Sequence, residues 1–179
     1  MADILVVTGS PRVGGNTSML ADAFIGGAQA AGNEVTRFDA GLADIKGCLG
    51  CNYCFAHDGM CCQEDDMQHA YPLLRRCDTL AYVTPIYYFT FSAQIKAFMD
   101  RMFCGIAKPF SVKSTVLLTA FEDKDRSISK HMIETYRALT AYSGMEDKGV
   151  VAVGSVFEKG AIARNPGLVE ARELGASLR

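Results

Sequence analysis

The sequence predicts an α/β fold, a parallel sheet of five strands with helices packed on both faces. Five short apolar runs alternate along the chain with stretches of helical periodicity. Four of these runs are continuously apolar, which is typical of strands buried on both faces of a sheet. Parallel neighbours need a crossover connection, and the helical stretches between the runs supply it.

The predicted strands occupy 4–8, 34–40, 79–85, 114–120 and 149–155. The second run, EVTRFDA, mixes polar and apolar residues, so we expect it at an edge of the sheet. The most economical strand order is 2-1-3-4-5, which gives a flavodoxin-like three-layer sandwich. In such sheets ligands bind beyond the carboxyl ends of the strands, where the winding direction reverses. The loops after strands 1, 3 and 4 are therefore the expected site.

Four stretches carry apolar residues at helical spacing. They are 18–32, 95–102, 132–140 and 165–178. The last one opens with Asn165 as a cap and Pro166 in the first turn. A fifth helix is expected within 64–75, where acidic residues suit a helix start. Pro72 should interrupt this helix, so we expect it to be short or kinked.

Length and composition indicate one globular domain. We expect a single domain over 1–179 with a cysteine-rich loop at 47–63. A charged fraction of 21% and a net charge of −2 argue against nucleic acid as a partner. No run approaches the roughly 18 apolar residues of a membrane span, and the N-terminus lacks the features of a secretory signal. We therefore expect a cytoplasmic protein with no membrane partner.

The loop after the first predicted strand has the composition of a phosphate site. It reads TGSPRVGGNTSM, residues 8–19, and opens the first helix. Its glycines permit tight turning, and its hydroxyl and amide side chains lie beside the free N–H groups of a helix start. The Walker ending and the G-x-G-x-x-G pattern are both missing, which favours a mononucleotide phosphate. The alternative is an ordinary strand-to-helix turn with a Thr or Ser cap.

The loop after the third predicted strand is aromatic. Tyr87, Tyr88, Phe89 and Phe91 follow a buried strand directly. A flat conjugated ligand gains from apolar walls of this kind. The rings could equally cover the sheet edge or form a subunit contact. A phosphate loop at the same edge of the sheet favours the ligand.

These stretches resemble a known family. GSPRVGGNTSML and TPIYYFTFSAQIKAFMDR are similar to the two flavin-binding stretches of the NAD(P)H-dependent FMN reductases in the flavodoxin-like superfamily. CLGCNYC, running into CCQEDDM, resembles the iron–sulfur flavoproteins within that group. The stretch FEKGAIARNPGLVEARELGASL at 157–178 resembles the end of such proteins. The resemblance therefore spans essentially the whole chain.

The resemblance implies FMN as the cofactor and NAD(P)H as the co-substrate. The FMN phosphate would lie on Ser10, Arg12, Asn16, Thr17 and Ser18, and the ring along Pro85, Ile86, Tyr87, Tyr88 and Phe89. The loop at 119–123 is a third flavin neighbour in that family, but it lacks the glycines often found there, so no residue of it is carried over. Family members are commonly homodimers or homotetramers with the flavin near a subunit interface.

The cysteine-rich loop carries five of the seven cysteines. An odd number cannot all pair within one chain, and a reducing compartment disfavours disulfides. Three thiols at C-x2-C-x2-C spacing and a fourth after a gap of six residues suit a [4Fe–4S] cluster. The predicted ligands are Cys48, Cys51, Cys54 and Cys61.

Alternatives to this cluster remain open at the level of sequence. Cys62 is a rival for Cys61, and His57 could substitute as a ligand, although we expect it to be a solvated loop residue. The thiols could instead be empty or redox-active, or could hold zinc, which usually takes two separated C-x2-C pairs. Cys77 and Cys104 lie in apolar sequence and are expected to be small buried side chains.

Three functional hypotheses follow. The first is an FMN-dependent oxidoreductase that takes electrons from NAD(P)H or a ferredoxin-like donor and passes them to a small-molecule acceptor such as a flavin or quinone. The second is an iron–sulfur flavoprotein that transfers electrons without nicotinamide turnover. The third is a non-catalytic thiol or metal redox sensor. Because hydride transfer to a flavin needs no protein acid or base, no catalytic residue is predicted.

Overall fold

A computed structural model of the chain describes residues 1–178. Six strands form the sheet: β1 (Asp3–Thr8), β2 (Glu34–Phe38), β3 (Thr79–Tyr87), β4 (Thr90–Phe91), β5 (Ser114–Ala120) and β6 (Glu146–Val153). Five of them are parallel and hydrogen-bonded in the order β2-β1-β3-β5-β6, and β4 pairs antiparallel with β3. The flavodoxin-like order of the five main strands and the edge position of β2 are confirmed.

Seven helices surround the sheet: α1 (Asn16–Ala30), α2 (Tyr53–Ala56), α3 (Met67–Arg76), α4 (Ala93–Arg101), α5 (Cys104–Ala107), α6 (Lys130–Tyr142) and α7 (Gly167–Ser177). Short 3-10 turns precede α6 and α7 at Arg126–Ser129 and Ala161–Arg164. The side chain of Asn165 accepts a hydrogen bond from the backbone N–H of Gly167 at 2.9 Å. The last helix begins at Gly167 with Pro166 as its N-cap, one residue later than predicted.

Three details differ from the expectation. The strand β4 was not predicted, because it has two residues and follows a turn without glycine or asparagine. The last strand begins at Glu146 rather than at 149, since Glu146 pairs with Ser114. Helix α3 is short, as predicted, but it continues through Pro72 to Arg76. A proline in a helix removes one hydrogen bond, and the buried face of α3 outweighs that loss.

Alternate side chains of each central strand enter two separate cores. Ile4 and Val6 point to the side of α1 and α7, whereas Leu5 and Val7 point to the side of α3, α4 and α6. All four side chains are fully buried. This arrangement gives the three layers that continuously apolar strands predict.

Helices α1 and α7 touch through their glycines. A Cβ added at Gly27 would lie 1.9 Å from the carbonyl oxygen of Arg172, whereas one added at the neighbouring Gly26 would meet only the end of the Arg172 side chain at 3.5 Å. We therefore expect Gly27→Ala to lower the free energy of unfolding by about 1–3 kcal/mol through overpacking.

Gly26→Ala is the matched control, because alanine in a helix interior is about 0.5–1 kcal/mol more favourable than glycine. Urea unfolding of both variants should give effects of opposite sign. If the two variants shift stability in the same direction, the close approach of α1 and α7 is not as described.

None of the helices within residues 1–178 combines the length and the apolar character needed to cross a membrane.

Candidate active site and cysteine pocket

A cavity of about 180 Å³ opens at the carboxyl edge of the sheet. Its walls come from the loops after β1, β3 and β5, as expected from the fold, and from the segment after β6. The lining residues are Ser10, Arg12, Gly15, Asn16, Thr17, Pro85, Ile86, Tyr87, Ala120, Phe121, Glu122, Val156 and Phe157. Seven of the ten side chains predicted for a flavin line this cavity.

The N-terminus of α1 points its free donors at this cavity. Gly15 is the N-cap in extended conformation, and no side chain caps the helix. The backbone N–H groups of Asn16, Thr17 and Ser18 have no acceptor within residues 1–178. A helix N-terminus carries about half a positive charge. The first turn of α1 is therefore suited to an anion such as a phosphate.

Arg12 adds an exposed positive charge to the lining of the cavity. The residue is exposed, and its guanidinium makes no ion pair within the described part of the chain. The backbone N–H of Arg12 donates to the hydroxyl of Ser10 at 3.2 Å, which fixes the turn between them. The guanidinium is thus available to a bound anion.

The side-chain amide of Asn16, predicted to hold a phosphate, is already hydrogen-bonded to the segment after β6. Its amide nitrogen donates to the carbonyl oxygens of Val156 and Glu158 at 3.2 and 2.9 Å, and its amide oxygen accepts from the N–H of Ile162 at 3.3 Å. The side chain of Asn16 therefore braces the start of α1 against the segment after β6. It shapes the cavity by holding two of its walls together.

Ser18 lies outside the cavity lining. Its hydroxyl accepts a hydrogen bond from Arg37 at 3.2 Å, and Arg37 also pairs with Asp22 and Asp39. What Ser18 offers to the cavity is its backbone N–H in the first turn of α1.

A buried hydroxyl network locks two walls of the cavity to each other. The hydroxyl of Ser92 donates to the carbonyl oxygen of Gly9 at 2.6 Å and lies 3.2 Å from the hydroxyl of Thr84, which donates to it. The same Ser92 oxygen caps α4 by accepting from the N–H of Ile95. Gly9 has no room for a side chain, because its Cβ would lie 2.6 Å from that of Ile95. The loops after β1 and β3 are therefore preorganised.

The β3–β4 hairpin presents its aromatic residues in two groups. Pro85, Ile86 and Tyr87 line the cavity, while Tyr88 and Phe89 form the two-residue turn outside the lining. Both turn residues have positive φ, 48° and 67°, and are 98% and 53% exposed. Such turns favour asparagine and glycine, so bulky side chains here are strained.

Replacing this turn should stabilise the chain. We expect Tyr88→Asn with Phe89→Gly to raise the free energy of unfolding by about 1–3 kcal/mol, because the strain of two left-handed bulky residues is relieved. Thermal unfolding at a dilution where light scattering shows only monomers measures the change, with Tyr142→Asn as a control at another exposed tyrosine. A double variant that is no more stable than the wild type would contradict the strain.

A second, smaller cavity lies within the cysteine-rich loop. It measures about 20 Å³, and its lining includes Cys48, Cys51, Cys54 and Cys61. Cys54 is buried, whereas the arm that carries Cys48 and Cys51 is exposed. Cys62 is outside the lining, and its sulfur lies 3.7 Å from that of Cys51. The four thiols named by spacing are therefore neighbours.

The two thiols at the surface differ in acidity. A hydrogen bond from the backbone of Tyr53, with a further one from Cys62, lowers the pKa of Cys51. The hydrogen bond with Cys51 raises the pKa of Cys62, and the partial loss of hydration acts in the same direction. Cys51 is thus the thiol of this pair that ionises first.

A fifth thiol lines the same small cavity. Cys104 and Cys77 are both buried, as predicted, and burial raises the pKa of each thiol, that of Cys77 to about 12. Cys104, however, also lies in the wall of the cavity beside Cys54. This position was not predictable from the sequence, because Cys104 is 42 residues beyond the nearest cysteine of the loop.

Comparison with known proteins decides the family. The family model described as NADPH-dependent FMN reductase matches residues 2–158. The chain belongs to the NADPH-dependent FMN reductase family. Several relatives are named iron–sulfur flavoprotein, and two of them align over most of this chain. The one from Archaeoglobus fulgidus is 30% identical and aligns over 96% of this chain and 76% of the relative. The one from Methanosarcina thermophila is 27% identical over 89% and 81%.

A solved structure supports the fold. The NAD(P)H:quinone oxidoreductase from Methanothermobacter marburgensis superimposes with a TM-score of 0.79 over 99% of this chain and 96% of that chain, at 16% identity. As a member of the NADPH-dependent FMN reductase family, the chain is a flavin oxidoreductase.

The cavity of about 180 Å³, called the large cavity to distinguish it from the small, cysteine-lined one, fits the cofactor of an FMN reductase. Its two ends supply unpartnered helix N–H groups for a phosphate and an apolar wall at Pro85 and Ile86 for a flat ring. Sequence reasoning missed Val156 and Phe157, which reach the cavity from the segment after β6. The rule that ligands collect at the carboxyl ends of strands could have included this segment.

The small cavity fits a sulfur-ligated cluster by its donor chemistry. Its lining gathers four thiols at the spacing of cluster ligands, and residues 48–52 of that lining are exposed. Within residues 1–178 no group of three His, Cys, Asp or Glu side chains is arranged to hold a metal ion. The fit therefore rests on the kind and the spacing of the donors.

An ion pair that the sequence did not reveal closes the cysteine-rich loop. The guanidinium of Arg101, at the end of α4, pairs with the carboxylate of Asp65, and the two side chains are 0% and 1% exposed. Arg101 also donates to the carbonyl oxygens of Lys46 and Gln63, which lie on the two sides of the loop. The pair therefore fixes both ends of the segment that carries the thiols.

The pKa of both partners reflects this burial. Burial alone would raise the pKa of Asp65, but hydrogen bonds from Arg101 and from the N–H of Lys46 outweigh it, so the pKa is lowered. Burial alone would lower the pKa of Arg101, and the Asp65 carboxylate reverses that effect. Both groups therefore stay charged near neutral pH.

Helix α4 connects the two cavities. Ser92 caps its start and contacts the loops of the large cavity, while Arg101 at its end lines the small one. Nine helical residues span about 14 Å. The cysteine-rich loop leaves β2 at the same edge of the sheet as the large cavity.

Proposed function

We propose that the chain binds FMN in the large cavity, takes electrons from NAD(P)H or a ferredoxin-like donor, and passes them to a small-molecule acceptor. The observation that carries the proposal is the uncapped N-terminus of α1, which opens into a cavity with an apolar wall. Membership of the NADPH-dependent FMN reductase family supports the same cofactor.

The phosphate would be held by the first turn of α1 together with Ser10, Arg12 and Thr17. Asn16 would hold the segment after β6 in place, and Ser18 would contribute its N–H. The ring would pack along Pro85, Ile86 and Tyr87, with Tyr88 and Phe89 beyond it. Bound FMN supplies hydride acceptance and the release of electrons singly or in pairs.

Residues of this chain would orient the co-substrate rather than exchange protons with it. Tyr87 and Phe157 line the cavity and are 40% and 55% exposed, so each offers a ring face to a nicotinamide. Glu122, at the same mouth, is exposed and would disfavour a negatively charged group close to it.

The experiment that tests this function follows NADPH and NADH consumption by FMN-loaded protein with a quinone as acceptor. We expect turnover that disappears when the flavin is removed and returns when FMN is added. Turnover that is unaffected by the flavin, or absent with both nucleotides, would contradict the proposal.

We further propose that Cys48, Cys51, Cys54 and Cys61 hold a [4Fe–4S] cluster. Support comes from the shared cavity of these thiols and from the relatives named iron–sulfur flavoproteins. Electrons would pass between the cluster and a flavin in this or a neighbouring subunit.

Neighbouring cysteines give a matched test of this ligand set. We expect Cys61→Ser to lose the iron after anaerobic reconstitution and Cys62→Ser to keep it, because only Cys61 lines the cavity. Iron is quantified per chain, with the FMN content as the control for folding. Loss of iron from Cys62→Ser with retention in Cys61→Ser would reverse the assignment.

A thiol switch is a second candidate, favoured by the 3.7 Å between the sulfurs of Cys51 and Cys62. With peroxide as the oxidant, the two thiols would lose two protons and two electrons and form one disulfide, while the peroxide is reduced to water. Mass spectrometry of the cluster-free protein would show the loss of two hydrogens, absent in Cys62→Ser. Peroxide treatment that leaves the mass unchanged would remove this candidate.

We also propose a homodimer or homotetramer, in which the exposed tip of the β3–β4 hairpin contributes to the subunit contact. The strained, exposed aromatic rings of Tyr88 and Phe89 support it. Light scattering should give a multiple of the chain mass for the wild type and a smaller mass for the variant with Tyr88→Asn and Phe89→Gly. A monomeric wild type would contradict it.

A further inference from the structure

The guanidinium of Arg101 uses all but one of its donors within the protein. Its two terminal nitrogens donate to both carboxylate oxygens of Asp65 and to the carbonyl oxygens of Lys46 and Gln63. The remaining donor is the Nε–H. This atom is buried and has no hydrogen-bond partner within residues 1–178. It is also the only buried side-chain nitrogen or oxygen of that part of the chain without one.

An unpartnered buried donor on a charged group calls for an explanation. Burying such a donor without an acceptor destabilises a folded chain, and native structures contain few examples. Several neighbouring polar groups are paired. The side-chain amide of Gln63 donates to the carbonyl oxygen of Gly47, and that of Gln68 donates to those of Cys61 and Gln63. A fully buried donor that stays free beside such a network indicates a partner of its own.

The position of Arg101 identifies the kind of partner. Arg101 lines the small cavity together with Cys48, Cys51, Cys54 and Cys61. The same wall carries neutral oxygen acceptors on Asn52, Tyr53 and Gln63, and the Tyr71 hydroxyl lies beside the guanidinium. A charged donor such as the guanidinium bonds most strongly to a negatively charged acceptor. Thiolate and sulfide sulfurs carry negative charge and accept hydrogen bonds, and such bonds tune the potential of iron–sulfur clusters.

The Asp65 carboxylate balances the charge of Arg101, so Arg101 acts on the cavity through a directed donor. Asp65 neutralises the guanidinium through two parallel hydrogen bonds. What the pair presents to the cavity is therefore one oriented N–H dipole rather than a net charge. This distinction separates Arg101 from an ordinary counter-ion.

We propose that Arg101 is a positioning residue of the cysteine site, and that its Nε–H donates a hydrogen bond to a sulfur of the group held by the four cysteines. The inference rests on the proposed cluster. Since the reduced cluster carries more negative charge, the hydrogen bond stabilises the reduced form and raises the potential. Because α4 ties Arg101 to Ser92, the same helix also sets the position of this donor relative to the large cavity.

The variant Arg101→Lys tests the inference, because lysine keeps the positive charge opposite Asp65 but has no Nε–H. We expect the anaerobically reconstituted variant to hold the cluster with a midpoint potential shifted to more negative values than the wild type. Arg76→Lys, at an exposed arginine on α3 that pairs with Asp3, is the matched control and should leave the potential unchanged. An unchanged potential in Arg101→Lys would overturn the inference.

A measurement on the wild-type protein covers the case in which Arg101→Lys does not fold. With 15N-labelled arginine and a reduced cluster, electron–nuclear double resonance should detect one arginine nitrogen and one exchangeable proton coupled to the iron spins. Absence of both couplings would overturn the inference while leaving the cluster in place. A wild-type protein that binds no iron would instead remove the proposed cluster, and the inference with it.

Discussion

Asp65→Asn is expected to lower the free energy of unfolding by about 3–5 kcal/mol. Asparagine has nearly the same shape as aspartate but leaves the guanidinium of Arg101 buried without a counter-charge. It also weakens the acceptors for the N–H groups of Lys46 and Met67, which both donate to the Asp65 carboxylate. The whole cysteine-rich loop depends on this carboxylate, so the effect should exceed that of any exposed ion pair.

Urea unfolding of the cluster-free protein measures the change. Asp22→Asn is the control, because Asp22 pairs with Arg37 at the surface, where ion pairs contribute about 0–1 kcal/mol. Similar destabilisation in the two variants would show that the Arg101–Asp65 pair does not hold the loop.

The lowered pKa of Asp65 also makes the stability of the chain depend on pH. The pKa of Asp65 is lower in the folded chain than the value of about 3.9 expected for an unfolded one. The ion pair therefore stabilises the fold above about pH 4, and its contribution is lost as the pH falls through the lower, folded pKa. Asp65→Asn should show a shallower loss of stability in acid than the wild type. Equal slopes would contradict the assignment.

Arg12→Ala should weaken FMN binding by about tenfold to a hundredfold without changing the thermal stability. A hydrogen bond to a charged group contributes about 1.5–3 kcal/mol, and each 1.4 kcal/mol changes a dissociation constant about tenfold. The stability should stay the same, because Arg12 is exposed and forms no ion pair in the described residues.

Quenching of FMN fluorescence on titration with the flavin-free protein measures the affinity. Arg164→Ala is the matched control, an exposed arginine that does not line the cavity. Arg12→Lys should recover part of the affinity, since it keeps the charge but not the planar donor pair. Wild-type affinity in Arg12→Ala would place the phosphate elsewhere.

Much of the fold could be predicted because buried parallel strands leave a strong signal. The runs at 4–8 and 114–120 are apolar on both faces, and the structure buries both faces of β1 and β5. The hairpin strand β4 left no such signal. Its turn at Tyr88 and Phe89 uses residues that rarely adopt positive φ, so no rule of turn composition points to it.

The candidate site was predictable where sequence neighbours stay neighbours in space. Ser10, Arg12 and Thr17 share one loop, and all three reach the cavity. Arg101 and Asp65 are 36 residues apart and meet only because α4 packs against the cysteine-rich loop. Asn16 looked like a phosphate donor, but its amide braces a segment about 140 residues away. Long-range pairings of this kind leave no periodic pattern in a sequence.

Anaerobic samples of the wild type and of the variant Cys48→Ser with Cys51→Ser test both cofactor sites at once. FMN and iron are counted per chain, and NADPH is then added while the flavin absorbance is followed. We expect one FMN and about four iron atoms in the wild type. In the variant we expect no iron, with FMN that is still bound and still bleached by NADPH. A wild-type chain without FMN, or a flavin in either protein that NADPH does not reduce, would contradict the proposed function.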